Sequence, residues 1–224
     1  MGDRTVLVLA PPRGIGAAVA ARLLTRGDVV ATLDDRVDPT DAAAVGASFA
    51  SLGGVDVVVL AWIAPASFVA RPAIGLREEE WDEACERSIR ASFVLLQQAH
   101  AVVRDGGRVV VVLPTVAATG VSGLVPLCTA VESVRVMAKA VARRWGARGI
   151  TVNTVEVELE PYVRGDAPAG GVEVPHVPVL GQPSLGERDV VADVVGLIDL
   201  LAEPAADAIT GALLVADRGT VLQP

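Results

Sequence analysis

The sequence predicts an α/β fold in which a parallel sheet is covered by helices on both faces. Three observations carry that expectation. Short β-branched runs alternate with longer apolar-periodic stretches along the chain, the pattern of strand–helix–strand units. A glycine-bearing turn stands between the first strand-like run and an Ala-rich helical stretch, where such folds receive ligands. Finally, 224 residues of 52% apolar content supply one sizeable core. No internal repeat, low-complexity tract or composition break divides the chain, so a single domain over 1–224 is expected.

The first strand is read at 4–10, and Ala10-Pro11-Pro12-Arg13-Gly14-Ile15-Gly16 leads into a helix at 14–26. A second strand at 28–33 runs into Asp34, and Asp38-Pro39-Thr40-Asp41 opens a helical stretch at 40–52. Val55-Asp56-Val57-Val58-Val59 marks a strand at 55–61. A long helix at 78–104 follows, with Trp81, Cys85, Ile89, Phe93, Leu96 and Val103 as its apolar stripe. After a strand at 107–113 comes a helix at 123–146, striped by Leu127, Val131, Val134, Ala138, Val141 and Trp145. A strand at 149–157, a helix at 188–203 and a strand at 212–216 complete the order. The irregular stretch 160–187 holds five of the fourteen prolines, and such loops cap a ligand crevice or an interface. Helices 78–104 and 123–146 are long enough to pack on the sheet and offer a second face to another subunit, so a homo- or hetero-oligomer is expected.

Composition excludes several functions. A formal charge of −8 and a pI near 4.8 argue against nucleic-acid and anionic-membrane partners, which need a cationic footprint. Cys85 and Cys128 lie in separate apolar-periodic segments, so neither a disulfide framework nor a metal cage is expected, and a reducing cytoplasm is. The apolar run Val6 to Ala10 is too short for an export signal, and nothing reaches the length of a membrane span. One lysine, Lys139, and one tyrosine, Tyr162, are present. Any mechanism needing a Tyr and a Lys in fixed local spacing must use that widely separated pair.

Beyond the glycine turn, the order continues with Gly106-Gly107-Arg108-Val109-Val110, Ala147-Arg148-Gly149-Ile150-Thr151-Val152-Asn153, and Ile209-Thr210-Gly211 with Asp217. Over essentially the whole chain this succession resembles the short-chain dehydrogenase/reductase superfamily, and its RGIG and ARGITVN segments look most like β-ketoacyl-carrier-protein reductases. The resemblance implies a Rossmann-type doubly wound sheet, a tetramer, NAD(H) or NADP(H), and carbonyl reduction. In the family's TGxxxGxG motif, Ala10 stands for the first glycine, and Gly14 and Gly16 for the others. Pro11 and Pro12 remove two backbone N–H donors from the turn. Arg13 matches the basic residue of NADPH-preferring members and Asp34 the acid of NADH-preferring ones, so cofactor preference stays open. The family inserts a helix and a strand where this chain passes almost directly from Asp34 to Asp38. Part of the adenine-side wall is therefore expected to be missing. A residual cofactor site of Arg13, Gly14, Ile15, Gly16, Asp34 and Asp38 would hold NADP(H) or NAD(H) weakly or not at all.

The resemblance also locates the reaction centre. The family's NNAG maps onto Leu60-Ala61-Trp62-Ile63, and its helix Asn onto Ser88. The catalytic Ser, Tyr and Lys map onto Pro114, Leu127 and Val131, and the Pro-Gly facing the nicotinamide maps onto Val157-Glu158. Carbonyl reduction needs a phenol to deliver the proton, an ammonium to depress its pKa and a hydroxyl to polarise the carbonyl. Leucine, valine and proline do none of these things.

Other chemistry-bearing residues remain. Glu156, Glu158 and Glu160 alternate with apolar residues at the end of a strand; extended backbone would put all three on one side, as a cation or acid–base site or as a solvated strand end. Tyr162 and His176 share the 160–187 loop and could do acid–base work on an acyl or polyketide substrate, or plug a crevice. His100 is expected at a surface or an interface; no metal set is spaced in the chain. Three functions follow: a non-catalytic subunit assembling with an active reductase paralogue through helices 78–104 and 123–146 and the C-terminal segment; a redox-neutral dehydratase, cyclase or isomerase; or a nucleotide-binding sensor.

Overall fold

A computed structural model describes residues 4–163, 184–186 and 189–221. Among these residues six parallel strands form one sheet: β1 (Thr5–Leu9), β2 (Val29–Thr32), β3 (Val55–Leu60), β4 (Val103–Pro114), β5 (Thr151–Val157) and β6 (Leu213–Val215). Their order is β2-β1-β3-β4-β5-β6. Val6 aligns with Val30 on one side and Val57 on the other. The order reverses there, so a crevice opens at the carboxyl ends of β1 and β3.

The helices are α1 (Ile15–Arg26), α2 (Ala42–Phe49), α3 (Glu78–Trp81), α4 (Arg87–Val102), α5 (Val125–Trp145), α6 (Glu160–Val163) and α7 (Val190–Ala202). Successive strand residues feed opposite apolar layers. Leu7, Leu9, Val58, Val109, Val111 and Val152 pack with α2, α4 and α5. Val6, Val8, Val57, Val110, Val112 and Val155 pack with α1 and α7. Burial on both sides explains why the strands are apolar at nearly every position. Local signals set the helix ends: Gly27 closes α1 in the left-handed region at φ 97°, and the Asp41 and Asp189 side chains cap α2 and α7.

One departure from the sequence reading matters. The stretch 78–104 is helical without a break from Glu78 to Val102, as read, but its second turn, Asp82–Glu86 between α3 and α4, is π-helical, and β4 already begins at Val103. The wider turn changes the buried face. Ala84, Ser88, Ala91, Ser92, Leu95 and Ala99 go inward together with Cys85, Leu96 and Val103 of the expected stripe, whereas Trp81 and Ile89 are half-buried and Phe93 is 53% exposed. On α5, by contrast, Leu127, Val131, Val134, Ala138 and Trp145 are all buried as the stripe predicts. The segment after β2 is as short as expected: β2 ends at Thr32, α2 starts at Ala42 with no strand between them, and β2 is a sheet edge. Among the described residues no helix is long and apolar enough to cross a membrane.

Candidate functional site

The turn after β1 is built by its glycines, each for a separate reason. Gly16 lies so close to β1 and β3 that a Cβ there would meet the Ala10 Cβ at 2.2 Å and the Ala61 Cβ at 3.2 Å. Helix–strand packing alone therefore requires it. Gly14 precedes α1 with φ +79°, a conformation L side chains avoid. A Cβ at Gly14 would also meet the Tyr162 carbonyl oxygen at 2.8 Å.

A bound diphosphate needs open space over such a turn and backbone N–H groups facing it. Pro11 and Pro12 offer no N–H, and the Tyr162 backbone occupies the space over Gly14. In this arrangement the turn does not fit a diphosphate. Beside it a cleft of 560 Å³ remains, lined among others by Ala10, Pro12, Gly16, Thr32, Asp34 and Arg36. Arg36 grips Asp34 through its guanidinium at 2.5 and 2.9 Å and its backbone N–H at 2.9 Å. Those bonds hold the Asp34 carboxyl well below the usual carboxylate range. Of the other residues expected at a cofactor, Arg13 is exposed and Ile15 is buried under α1. Asp38 accepts from the Thr40 backbone and hydroxyl and from Arg87 at 3.2 Å, so it serves the start of α2.

The positions that the sequence resemblance assigns to the family's reaction centre are packed into the protein. Leu127 and Val131 are 0% exposed and belong to the apolar layer beneath α5. Pro114 ends β4 beside Val157. Ser88 is buried, accepts the Ala64 N–H at 3.0 Å, donates to the Ala84 carbonyl at 2.8 Å and lies 3.0 Å from the Ser67 hydroxyl. It pins the segment after β3 to the π-helical turn. Thr115 spends its hydroxyl on the Val157 carbonyl at 3.3 Å. No phenol or ammonium stands among these side chains.

The glutamates differ from both sequence-based alternatives. β5 stops at Val157, so the alternation does not continue to Glu160, which opens α6 and is exposed. Glu156 is no solvated strand end: it is 0% exposed, with its Oε1 2.7 Å from Arg135 Nη2. The two approach without hydrogen-bond alignment, and Arg135 also lies 2.8 Å from Glu132. Burial pushes the Glu156 carboxyl up, more than Arg135 pulls it down. Glu158 pairs instead with Arg218 at 2.7 Å and accepts from Thr220 at 3.2 Å. Among the described residues no group of three His, Cys, Asp or Glu side chains is placed to hold a metal. Sequence reasoning missed Arg135. The signal was a glutamate inside a strand buried at every position, where a carboxylate calls for a cation beside it.

Tyr162, on α6, packs its ring 5.8 Å from that of Phe68 and touches both apolar layers. Its hydroxyl is sealed from solvent with no hydrogen-bond partner among the described residues. Burial, and then the Glu156 charge, hold its proton far above the usual phenol range. His176, the partner expected for it, lies outside the described residues. His100 stacks 4.8 Å from Trp145, and burial together with Arg148 and Arg144 lowers its pKa. Burial pushes the Cys85 thiol up to about 11, and the Cys128 thiol up as well. Asn153 joins β5 to the approach to β6, donating to the Ile209 carbonyl at 2.8 Å and accepting the Ala212 N–H at 3.1 Å.

A family model described as enoyl-(acyl carrier protein) reductase matches residues 33–221. The chain is 28% identical to the D-threitol dehydrogenase of Mycolicibacterium smegmatis, covering 100% of this chain and 95% of that one. It is 27% identical to the 3-oxoacyl-(acyl-carrier-protein) reductase FabG of Vibrio cholerae, over 96% of each chain. A blue fluorescent protein from a metagenomic library, solved in complex with NADPH, superposes with a TM-score of 0.76 at 28% identity, over 98% of each chain.

Proposed function

The chain belongs to the short-chain dehydrogenase/reductase superfamily, matched through its enoyl-(acyl carrier protein) reductase model, and from that premise we propose that it has kept the oxidoreductase fold while giving up hydride transfer. Its role is that of a non-catalytic subunit assembling with an active ketoreductase paralogue in a reducing cytoplasm. One observation carries this reading: Leu127 and Val131, where the resemblance puts the proton-donating phenol and its ammonium, are fully buried core residues. A side chain with no titratable proton cannot complete carbonyl reduction. The exposed apolar residues Phe93 on α4 and Val136 on α5, the latter 62% exposed, support the two long helical segments as the assembly surface. Co-expression with a 3-oxoacyl reductase from the same genome tests the assembly. Native mass spectrometry is expected to show a mixed oligomer, whereas a stable homo-oligomer that never includes the reductase overturns the partner role.

A nucleotide-binding sensor is the second reading. It is favoured by the cleft beside Asp34 and Arg36 and by the NADPH-bound state of a solved relative. Calorimetric titration with NADH and NADPH tests it, and absence of heat at millimolar ligand would exclude it. A redox-neutral enzyme built on Tyr162, His176, Glu156 or Glu158 draws less support, because the Tyr162 hydroxyl and Glu156 are sealed from solvent.

A further inference from the structure

The glycine turn and α6 meet in a way that the family resemblance does not anticipate. α6 is a single turn of four residues, too short to be stable on its own. What seats it is the Tyr162 side chain, wedged against Phe68 and both apolar layers. Seated there, the Tyr162 carbonyl oxygen comes so near Gly14 that even a methyl group on that residue would lie 2.8 Å from it. The cleft that survives runs from Ala10 and Pro12 past Gly16 to Asp34 and Arg36. Gly14 and Tyr162 are not among its lining residues.

We propose that Tyr162 is a built-in stop that ends the nucleotide cleft at Gly14, so that the chain accepts the adenosine–phosphate half of a dinucleotide and its own backbone turns away the diphosphate and everything beyond it. This rests on the nucleotide-binding reading above. What the cleft recognises is therefore an adenine mononucleotide or a similar one-nucleoside phosphate, free or as one half of a dinucleotide. Two sets of groups would recognise it: the Asp34–Arg36 pair at the mouth, offering both an acceptor and a cation, and the apolar side chains of Val8, Ala17 and Ala20. A dinucleotide would gain contacts beyond Gly14 only in molecules whose α6 has left its seat. The fraction of molecules in that open form scales its apparent affinity.

Titration calorimetry with two probes, adenosine 2′,5′-bisphosphate and NADPH, tests the stop in three proteins. In the unaltered protein the two probes are expected to bind with affinities within about threefold of each other, because the second half of NADPH adds nothing. In Tyr162→Ala, NADPH is expected to tighten by about tenfold or more while the bisphosphate stays unchanged, since only the larger ligand competes with α6. Tyr162→Phe retains the wedge and is expected to match the unaltered protein, and a thermal melt of each variant establishes that it is folded. NADPH binding the unaltered protein more than about tenfold tighter than the bisphosphate overturns the stop. So does a folded Tyr162→Ala variant with an unchanged ratio of affinities. Failure of the bisphosphate to bind any of the three proteins overturns the nucleotide-binding reading itself, and the stop with it. Turnover of NADPH by the unaltered protein would need the nicotinamide half bound past Gly14, and would overturn the stop together with the loss of hydride transfer.

Discussion

At the residue scale, the polar groups buried around the end of β5 make the sharpest predictions. Tyr162 hides a hydroxyl without a partner among the described residues, and a buried unsatisfied polar group costs about 1–3 kcal/mol. Tyr162→Phe is therefore expected to stabilise the protein by roughly 1 kcal/mol in urea denaturation; a destabilisation of that size would show that the hydroxyl is bonded. Glu156 works through protonation. Its folded pKa is raised above the ordinary 4.5, so the folded protein holds the proton more tightly than the unfolded chain. The stability linked to that proton is present in full below pH 4.5 and is lost as the pH rises through the folded value. Glu156→Gln cannot titrate, and its denaturation midpoint is expected not to show that loss. Parallel pH profiles of variant and parent would contradict the assignment. The local demands were legible in the sequence, Gly16 as a packing glycine and Leu127 and Val131 as core. The Arg135–Glu156 pair was not, because it joins α5 to β5 across tertiary space and leaves only one charged residue in an apolar strand as its trace.

At the scale of elements, α5 carries apolar side chains where the family resemblance puts the reacting groups. Its stripe of Leu127, Val131, Val134 and Ala138 was readable because a spacing of three and four residues directly fixes a helix face. Leu127→Ala is expected to cost about 2–5 kcal/mol in chemical denaturation, as at other buried leucines. A cost near zero would mean that the position faces open space, as a reaction centre would. Val131→Lys, made with Pro114→Ser and Leu127→Tyr, is expected to destabilise by more than about 3 kcal/mol, because it buries an ammonium without a counter-charge. The stretch 78–104 was readable as helical, but not its π-helical turn: packing of Ser88 against Ala64 and Ser67 goes with that turn, which shifts the register of the buried face, and no local residue announces it. The shortened connection after β2 was legible, since Asp34 and Asp38 leave no length for another helix and strand. It leaves β2 at the sheet edge with Val29 exposed on it.

For the whole molecule, the parallel order β2-β1-β3-β4-β5-β6 and the family match over 33–221 establish the oxidoreductase fold. That architecture was legible because alternation of strands and helices, right-handed crossovers and burial on both faces leave few other solutions. Of the candidate site, the sequence showed the apolar stripe that holds Leu127 and Val131, whereas the seating of Tyr162 over Gly14 depends on a contact between residues far apart in the chain. The central claim is that this fold is present without hydride transfer. The most direct test follows NADPH and NADH absorbance with the purified protein and a panel of carbonyl substrates, with a short-chain reductase as positive control. No substrate-dependent change above the protein-free rate is expected. Substrate-dependent oxidation that scales with protein concentration, and that follows this chain through successive purification steps, would contradict the claim.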